Sequence, residues 1–120
     1  MLLGLRTAQY HVSDIGQARD WYTQALGVEP YFDEPYYVGF DIGGFELGLI
    51  PDSETAGRPG SVAVYWGVDD IQTAFGRLLS AGARPLTDIE DVGEGIKKAM
   101  VLDPFGNSFG IIENPHFVKR

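Results

Sequence analysis

"HVSDIGQARDWYTQALG" at residues 11–27 and "GVDDIQTAFGRLLSAGA" at 67–83 share one grammar. Each begins at the end of an alternating run, passes an aspartate, continues with apolar residues at helical spacing and closes on glycine. In the first, Ile15, Ala18, Tyr22, Ala25 and Leu26 fall on one helical face, Ser13 or Asp14 can cap the start, and Gly27 can end it. In the second, Ile71, Ala74, Phe75, Leu78 and Leu79 form the stripe between an aspartate cap and Gly82. A strand precedes each helix. "LRTAQYHV" (5–12) alternates, and "SVAVYWGV" (61–68) alternates with Val62, Val64, Trp66 and Val68 on one side. Three strand-like runs follow each helix: "VEPYF", "YYVGFDI" and "FELGLI" in the first half, "ARPLTDI", "IKKAMVL" and "SFGII" in the second.

Local text repeats as well. "VSDI" echoes "VDDI", "LGVEP" echoes "AGARP", and "GFELG" (44–48) matches "GNSFG" (106–110). A repeat of this length outranks any single motif as a guide to architecture. It predicts an α+β fold: two βαβββ modules, at about 5–50 and 61–113, forming one domain over residues 1–120. Each helix covers one face of its sheet. The open faces are therefore expected to form a shared cleft between curved mixed sheets. "PDSETAGRPG" (51–60) is the expected linker, "DIGGFELG" holds a hairpin turn, and the acidic stretch "DIEDVGEG" (88–95) reads as a solvated loop or a lid that favours a cation.

Composition narrows the function. The 120 residues suffice for one compact core. A net charge of −8 speaks against binding to nucleic acid or an anionic membrane. The absence of cysteine removes disulfides and thiolate chemistry. Neither a signal-type apolar stretch nor a run of transmembrane length is present, so the cytoplasm is the default location. G-x-S-x-G, the P-loop and the dinucleotide fingerprint are all missing.

"VLDPFGNSFGII" (101–112) holds the sharpest local question. Asp103 and Pro104 suit the first corners of a type I turn that Gly106 closes. Beyond it, Phe109 and Ile111 point one way, and Ser108, Gly110 and Ile112 the other. A mid-strand glycine weakens a sheet, so Gly110 needs a reason.

The paired modules, with the "DPFGNSFGIIE" segment, resemble the vicinal oxygen chelate superfamily, which contains glyoxalase I, extradiol dioxygenases and fosfomycin and bleomycin resistance proteins. The resemblance covers about residues 5–115. It implies a divalent metal held by His and Glu at the first and last strands of each module. Carried over one at a time, those positions fall on Thr7, Gly48, Ala63 and Gly110, none of which is a usual ligand for such an ion. Glu46 is the best remaining carboxylate for a relocated site. His11 lies about 13 Å along the strand from position 7, and His116 sits in the C-terminal tail.

The resemblance therefore points to the metal-free, bleomycin-resistance-like branch: no cofactor, and a small aromatic or partly cationic molecule bound in the cleft. The alternative is a glyoxalase-like metal-dependent lyase or isomerase with a relocated site. The residues expected to line the cleft are Thr7, Gln9, His11, Glu46, Gly48, Ser61, Ala63, Tyr65, Ser108, Gly110 and Ile112. The small residues at 7, 48, 63 and 110 are expected to leave its centre open, so that Gly110→Glu would be tolerated. In "YYVGF", Tyr36 and Phe40 share one face and Tyr37 takes the other, and only one set can line the cleft. The resemblance also implies a homodimer.

Overall fold

The computed structural model describes residues 1–52, 62–105 and 107–117. Ser61, Gly106 and most of the expected linker lie outside the described residues. The element order is β1 (Leu2–Val12), α1 (Ile15–Leu26), β2 (Phe32–Glu34), β3 (Tyr37–Ile42), β4 (Phe45–Pro51), β5 (Val62–Val68), α2 (Ile71–Ser80), β6 (Arg84–Pro85), β7 (Glu90–Gly93), β8 (Ile96–Leu102) and β9 (Ser108–Glu113). The chain is α+β, and βαβββ order is plain in the first half. The second half adds a short strand. Two compact units emerge, an N-terminal one over Thr7–Val62 and a C-terminal one made of Met1–Arg6 with the chain from Ala63 onward.

In the N-terminal unit the strands run in the order β2-β3-β4-β1. β2, β3 and β4 form an antiparallel meander, and β4 lies parallel to β1. The β3–β4 hairpin turns on Gly43 and Gly44, both at positive φ (63° and 93°), as a two-residue turn between paired Ile42 and Phe45 requires. Asp14 caps α1 by accepting from the Gln17 N–H at 3.0 Å, and Gly27 ends it in the left-handed region. Ile15, Ala18 and Tyr22 pack on the buried Val38, Phe40 and Leu49. Ala25 and Leu26, expected on the same stripe, are exposed, because the final turn runs past the sheet's apolar patch.

The C-terminal unit repeats the plan, with β5-β9-β8-β6 in sequence and β7 paired to β8. β9 runs parallel to β5 and antiparallel to β8. Asp70 caps α2 through the N–H groups of Gln72 and Thr73. Ile71 and Ala74 are buried with Val68, Ala99 and Ile111, and Phe75, Leu78 and Phe109 pack against them. Phe109 and Ile111 therefore face the helix, as their alternation predicts. Asp103 anchors the β8–β9 turn by accepting from the backbone N–H groups of Phe105 and Asn107, each at 2.8 Å.

Three local expectations are corrected. "VEPYF" is extended only from Phe32, since Pro30 has no N–H to give a ladder; Tyr31 alone bonds back, to the Gly39 carbonyl at 3.0 Å. "ARPLTDI" pairs only at Arg84–Pro85, after which the N–H groups of Leu86 and Thr87 both bond the Met100 carbonyl and interrupt the register. The acidic stretch 88–95 is not a loop throughout: its middle, Glu90–Gly93, forms the exposed strand β7, in which Glu90 stands opposite Lys98 and Asp91 opposite Lys97. Opposite charges across a strand pair stabilise pairing, so these acids belong to the ladder. Glu94 and Gly95, both at positive φ, turn β7 into β8.

Candidate functional site

Alternation sends Tyr10 and Val12 of β1 toward α1, which leaves Thr7, Gln9 and His11 on the other face. All three are buried, unusual for polar side chains that no helix covers. The parallel register sets Thr7 opposite Glu46 and Gln9 opposite Gly48. On β3, Val38 and Phe40 enter the helix-side core. Tyr37, Gly39 and Asp41 therefore share the face of Glu46, which settles which aromatics of "YYVGF" join the polar face.

Glu46 is the hub of that face. Its Oε1 accepts from the Thr7 hydroxyl at 2.6 Å and from the Tyr37 hydroxyl at 2.6 Å. Its Oε2 accepts from the Tyr31 hydroxyl. Gln9 Nε2 reaches the Tyr37 oxygen at 3.5 Å, the outer limit of a hydrogen bond. Burial, with the Glu46 charge beside it, pushes the Tyr37 hydroxyl far above the ordinary tyrosine pKa. The Tyr31 hydroxyl is raised as well, by desolvation of that group first and then by its hydrogen bond to Glu46, although the residue as a whole is largely exposed. Ionising either would set a phenolate against a carboxylate, so both remain donors at neutral pH.

The glycines on this face do not open it. A Cβ on Gly48 would strike the Tyr37 hydroxyl and lie 2.7 Å from its Cζ. One on Gly39 would lie 3.0 Å from Tyr31 Cε1. Gly39 and Gly48 are register partners, so the two rings stand over a bare patch of sheet and send their hydroxyls to one carboxylate. Gly48 is needed for close approach of an aromatic ring.

The other expected residues that the structure describes, Ala63, Tyr65, Ser108, Gly110 and Ile112, fall in the C-terminal unit. Tyr65 is buried and paired with Gly110; Ile112 pairs with both Gly67 and Lys98. A Cβ on Gly110 would meet the Val64 carbonyl oxygen at 2.6 Å, Tyr65 Cδ1 at 2.7 Å and Met100 Cε at 3.1 Å. The expectation of open space at 48 and 110 is therefore corrected at both positions. Burial, with Glu90 nearby, raises the Tyr65 pKa. Lys98 Nζ stands 5.6 Å from the Tyr65 ring centroid. Ala63 is half-buried and Ser108 exposed on their strands. His116 holds the tail to the β7–β8 turn through the Glu94 carbonyl at 2.8 Å.

The divalent metal implied by the resemblance does not fit these residues. Thr7, Gly48, Ala63 and Gly110 offer one hydroxyl among them. Glu46, the carboxylate nearest those positions, already accepts three hydroxyl protons. Among the described residues no group of three or more His, Asp or Glu stands close enough to hold an ion.

Alternation in the sequence places Thr7, Gln9, Glu46 and Gly48 on one face, leaves the side of Tyr37 open, and gives no sign of Tyr31, which follows a proline in an aperiodic stretch. The parity of β3 against its own apolar residues, Val38 and Phe40, was the signal available.

The chain's relatives agree with this architecture. A Vibrio splendidus member of the glyoxalase/bleomycin resistance protein/dioxygenase superfamily is 22% identical, with a TM-score of 0.68 over 91% of this chain and 97% of its own. Methylmalonyl-CoA epimerase from Mycobacterium tuberculosis is 18% identical, with a TM-score of 0.76 over 93% of this chain and 88% of its own. The Streptomyces coelicolor methylmalonyl-CoA epimerase in complex with 2-nitronate-propionyl-CoA is 14% identical, with a TM-score of 0.76 and full coverage of both chains. At these identities the likeness is one of fold. No curated protein matches the sequence. In the described residues no helix is long and apolar enough to cross a membrane. The model of the Glyoxalase/Bleomycin resistance protein/Dioxygenase superfamily matches residues 4–111, and the chain belongs to that superfamily.

Proposed function

We propose that this protein is a small-molecule binder of the glyoxalase/bleomycin resistance type, and that it takes an aromatic or partly cationic compound against the Glu46 face of its N-terminal unit. The observation that carries the proposal is a carboxylate ringed by three hydroxyls and bordered by the rings of Tyr31 and Tyr37. Electrostatics favour the same class. Among described residues 7–52, Arg19 is the one Lys or Arg, against eight Asp and Glu. Arg19 itself bonds Asp20 and Asp33. A positively charged or electron-poor ring system gains from such a field and from stacking on tyrosine.

Binding needs no bond-making step. The hydroxyls orient the carboxylate, the rings supply apolar contact, and Thr7, Gln9 and His11 supply a polar floor. Calorimetric titration with a panel of aromatic and cationic compounds tests this, comparing the wild type with Glu46→Gln. Saturable binding weakened by the substitution supports it; a panel that binds neither protein, or both equally, removes it. The family resemblance also carries a homodimer. A monomer in sedimentation equilibrium across micromolar concentrations would overturn that part alone.

A further inference from the structure

A carboxylate offers about four lone-pair positions. At Glu46 three are taken by Thr7, Tyr31 and Tyr37, which leaves one. The hydroxyls use the hydrogen-bonding capacity of the group without cancelling its charge, since each donor is neutral. Glu46 is thus an anion that attracts a cation but is poor at receiving N–H donors. A primary ammonium brings three N–H groups, and each one left without an acceptor on leaving water costs free energy. A quaternary ammonium brings none, and a tertiary one brings a single N–H, which matches the one position left.

The surroundings suit such a group. Tyr31 approaches Gly39 with its Cε1 and Cζ atoms, and the residue as a whole is 63% exposed. Phe32, the register partner of Gly39, stands on the same face. Its ring centroid is 6.1 Å from that of Tyr37 and 6.1 Å from that of Tyr36, in edge-to-face arrangements. Asp41, the register partner of Glu46, adds a second carboxylate. Ring faces beside an anion attract a methylated cation through the ring quadrupole together with the Coulomb term.

We infer that the compound bound at Glu46 carries a methylated, tertiary or quaternary, ammonium group, held by the exposed rings of Tyr31 and Phe32 and the charge of Glu46. This rests on the Glu46 site proposed above and specifies the chemistry that site selects. The cation sits over the rings, and the remainder of the compound extends away from the hydroxyl cluster.

The test is calorimetric titration of the full chain with four probes of similar shape: choline, N,N-dimethylethanolamine, ethanolamine and the neutral isostere 3,3-dimethylbutan-1-ol. Choline is expected to bind about tenfold tighter than ethanolamine and than the neutral alcohol, with the dimethyl compound between. Phe32→Ala, at an exposed position, should weaken choline several-fold and leave near-ultraviolet circular dichroism of the remaining aromatics native-like. Tyr31→Phe keeps the ring but frees an acceptor position on Glu46, and should narrow the preference of choline over ethanolamine. Glu46→Gln should abolish the preference of choline over the alcohol. The inference is overturned if ethanolamine equals or exceeds choline, or if the alcohol matches it. Should none of the four bind while aromatic compounds still bind in a Glu46-dependent way, the inference falls and the site stands. Should nothing bind at all, both fall.

Discussion

Gly48 in β4 and Gly110 in β9 occupy matching places in the two units, each opposite a residue of its unit's parallel first strand, Gln9 or Tyr65. Both glycines lie beneath a tyrosine. Over Gly48 the ring comes from Tyr37 on the antiparallel neighbour; over Gly110 it comes from Tyr65 on the parallel neighbour. The first ring ends at a carboxylate, and the second lies beside Met100 and Lys98. A third flat group sits on glycine in the C-terminal unit. The Arg6 guanidinium lies 2.6 Å from where a Gly67 Cβ would be, with the Phe117 ring centroid 3.5 Å from its Cζ. Desolvation there lowers the Arg6 pKa, partly offset by Asp69. Glycine thus has one meaning in both halves, a bare backbone on which a flat side chain rests. The side chain laid upon it gives one face acid and hydroxyls and the other cations.

The largest expected effect breaks the symmetry at Gly110. Gly110→Glu sets a Cβ against the Val64 carbonyl, part of a backbone that has nowhere to move, and buries a carboxylate beside it. A loss of about 4 kcal/mol in denaturant-derived stability is expected. A loss under about 1 kcal/mol would mean that the strand gives way and that the ring cover is loose.

Gly48→Ala meets a side chain instead of backbone, so Tyr37 swings out and its bond to Glu46 is lost. About 2 kcal/mol is expected. In a Tyr37→Ala background the same substitution should be nearly neutral. Equal costs in both backgrounds would show that Tyr37 is not what occupies the space above Gly48.

Alkaline pH sharpens the comparison further. Tyr37 has a folded-state pKa raised above the unfolded value near 10. Its contribution is complete below about pH 10 and declines as pH rises toward the folded pKa, because the unfolded chain gives up the proton first. The decline is about 1.4 kcal/mol per pH unit. Absorbance at 295 nm should show tyrosines, Tyr37 foremost, that ionise later than the rest or only on unfolding. Glu46→Gln should bring Tyr37 closer to the ordinary value and leave Tyr65 in place. Simultaneous ionisation of all six tyrosines near pH 10 would contradict the network.

The smallest effects lie at the helix caps. Asp14→Ala should cost about 1 kcal/mol. Asp70→Ala should cost less, because Glu113 Oε1 also accepts from the Ile71 N–H at 2.9 Å and keeps one helix-end donor satisfied. Reversed costs in thermal unfolding would show that Glu113 does not share the work of capping α2.

Much of this architecture is written in short-range chemistry. The two aspartate caps, the helical stripes, the Gly43–Gly44 turn and the alternation that sends Phe109 and Ile111 toward α2 depend on neighbours a few residues away, so the sequence alone determines them. So does membership of the superfamily, whose repeat is legible as text. The site is different. Thr7, Gln9, Glu46 and Gly48 could be placed on a face by parity. Yet what stands over Gly48 depends on Tyr37 crossing from a neighbouring strand, and Glu46 is completed by Tyr31 from an aperiodic stretch. The acidic run at 88–95 looked like a solvated loop until Lys97 and Lys98 were set opposite it. A missing side chain reads as a hole in one dimension, and tertiary packing decides otherwise, because close-packed protein fills bare backbone with the nearest flat group.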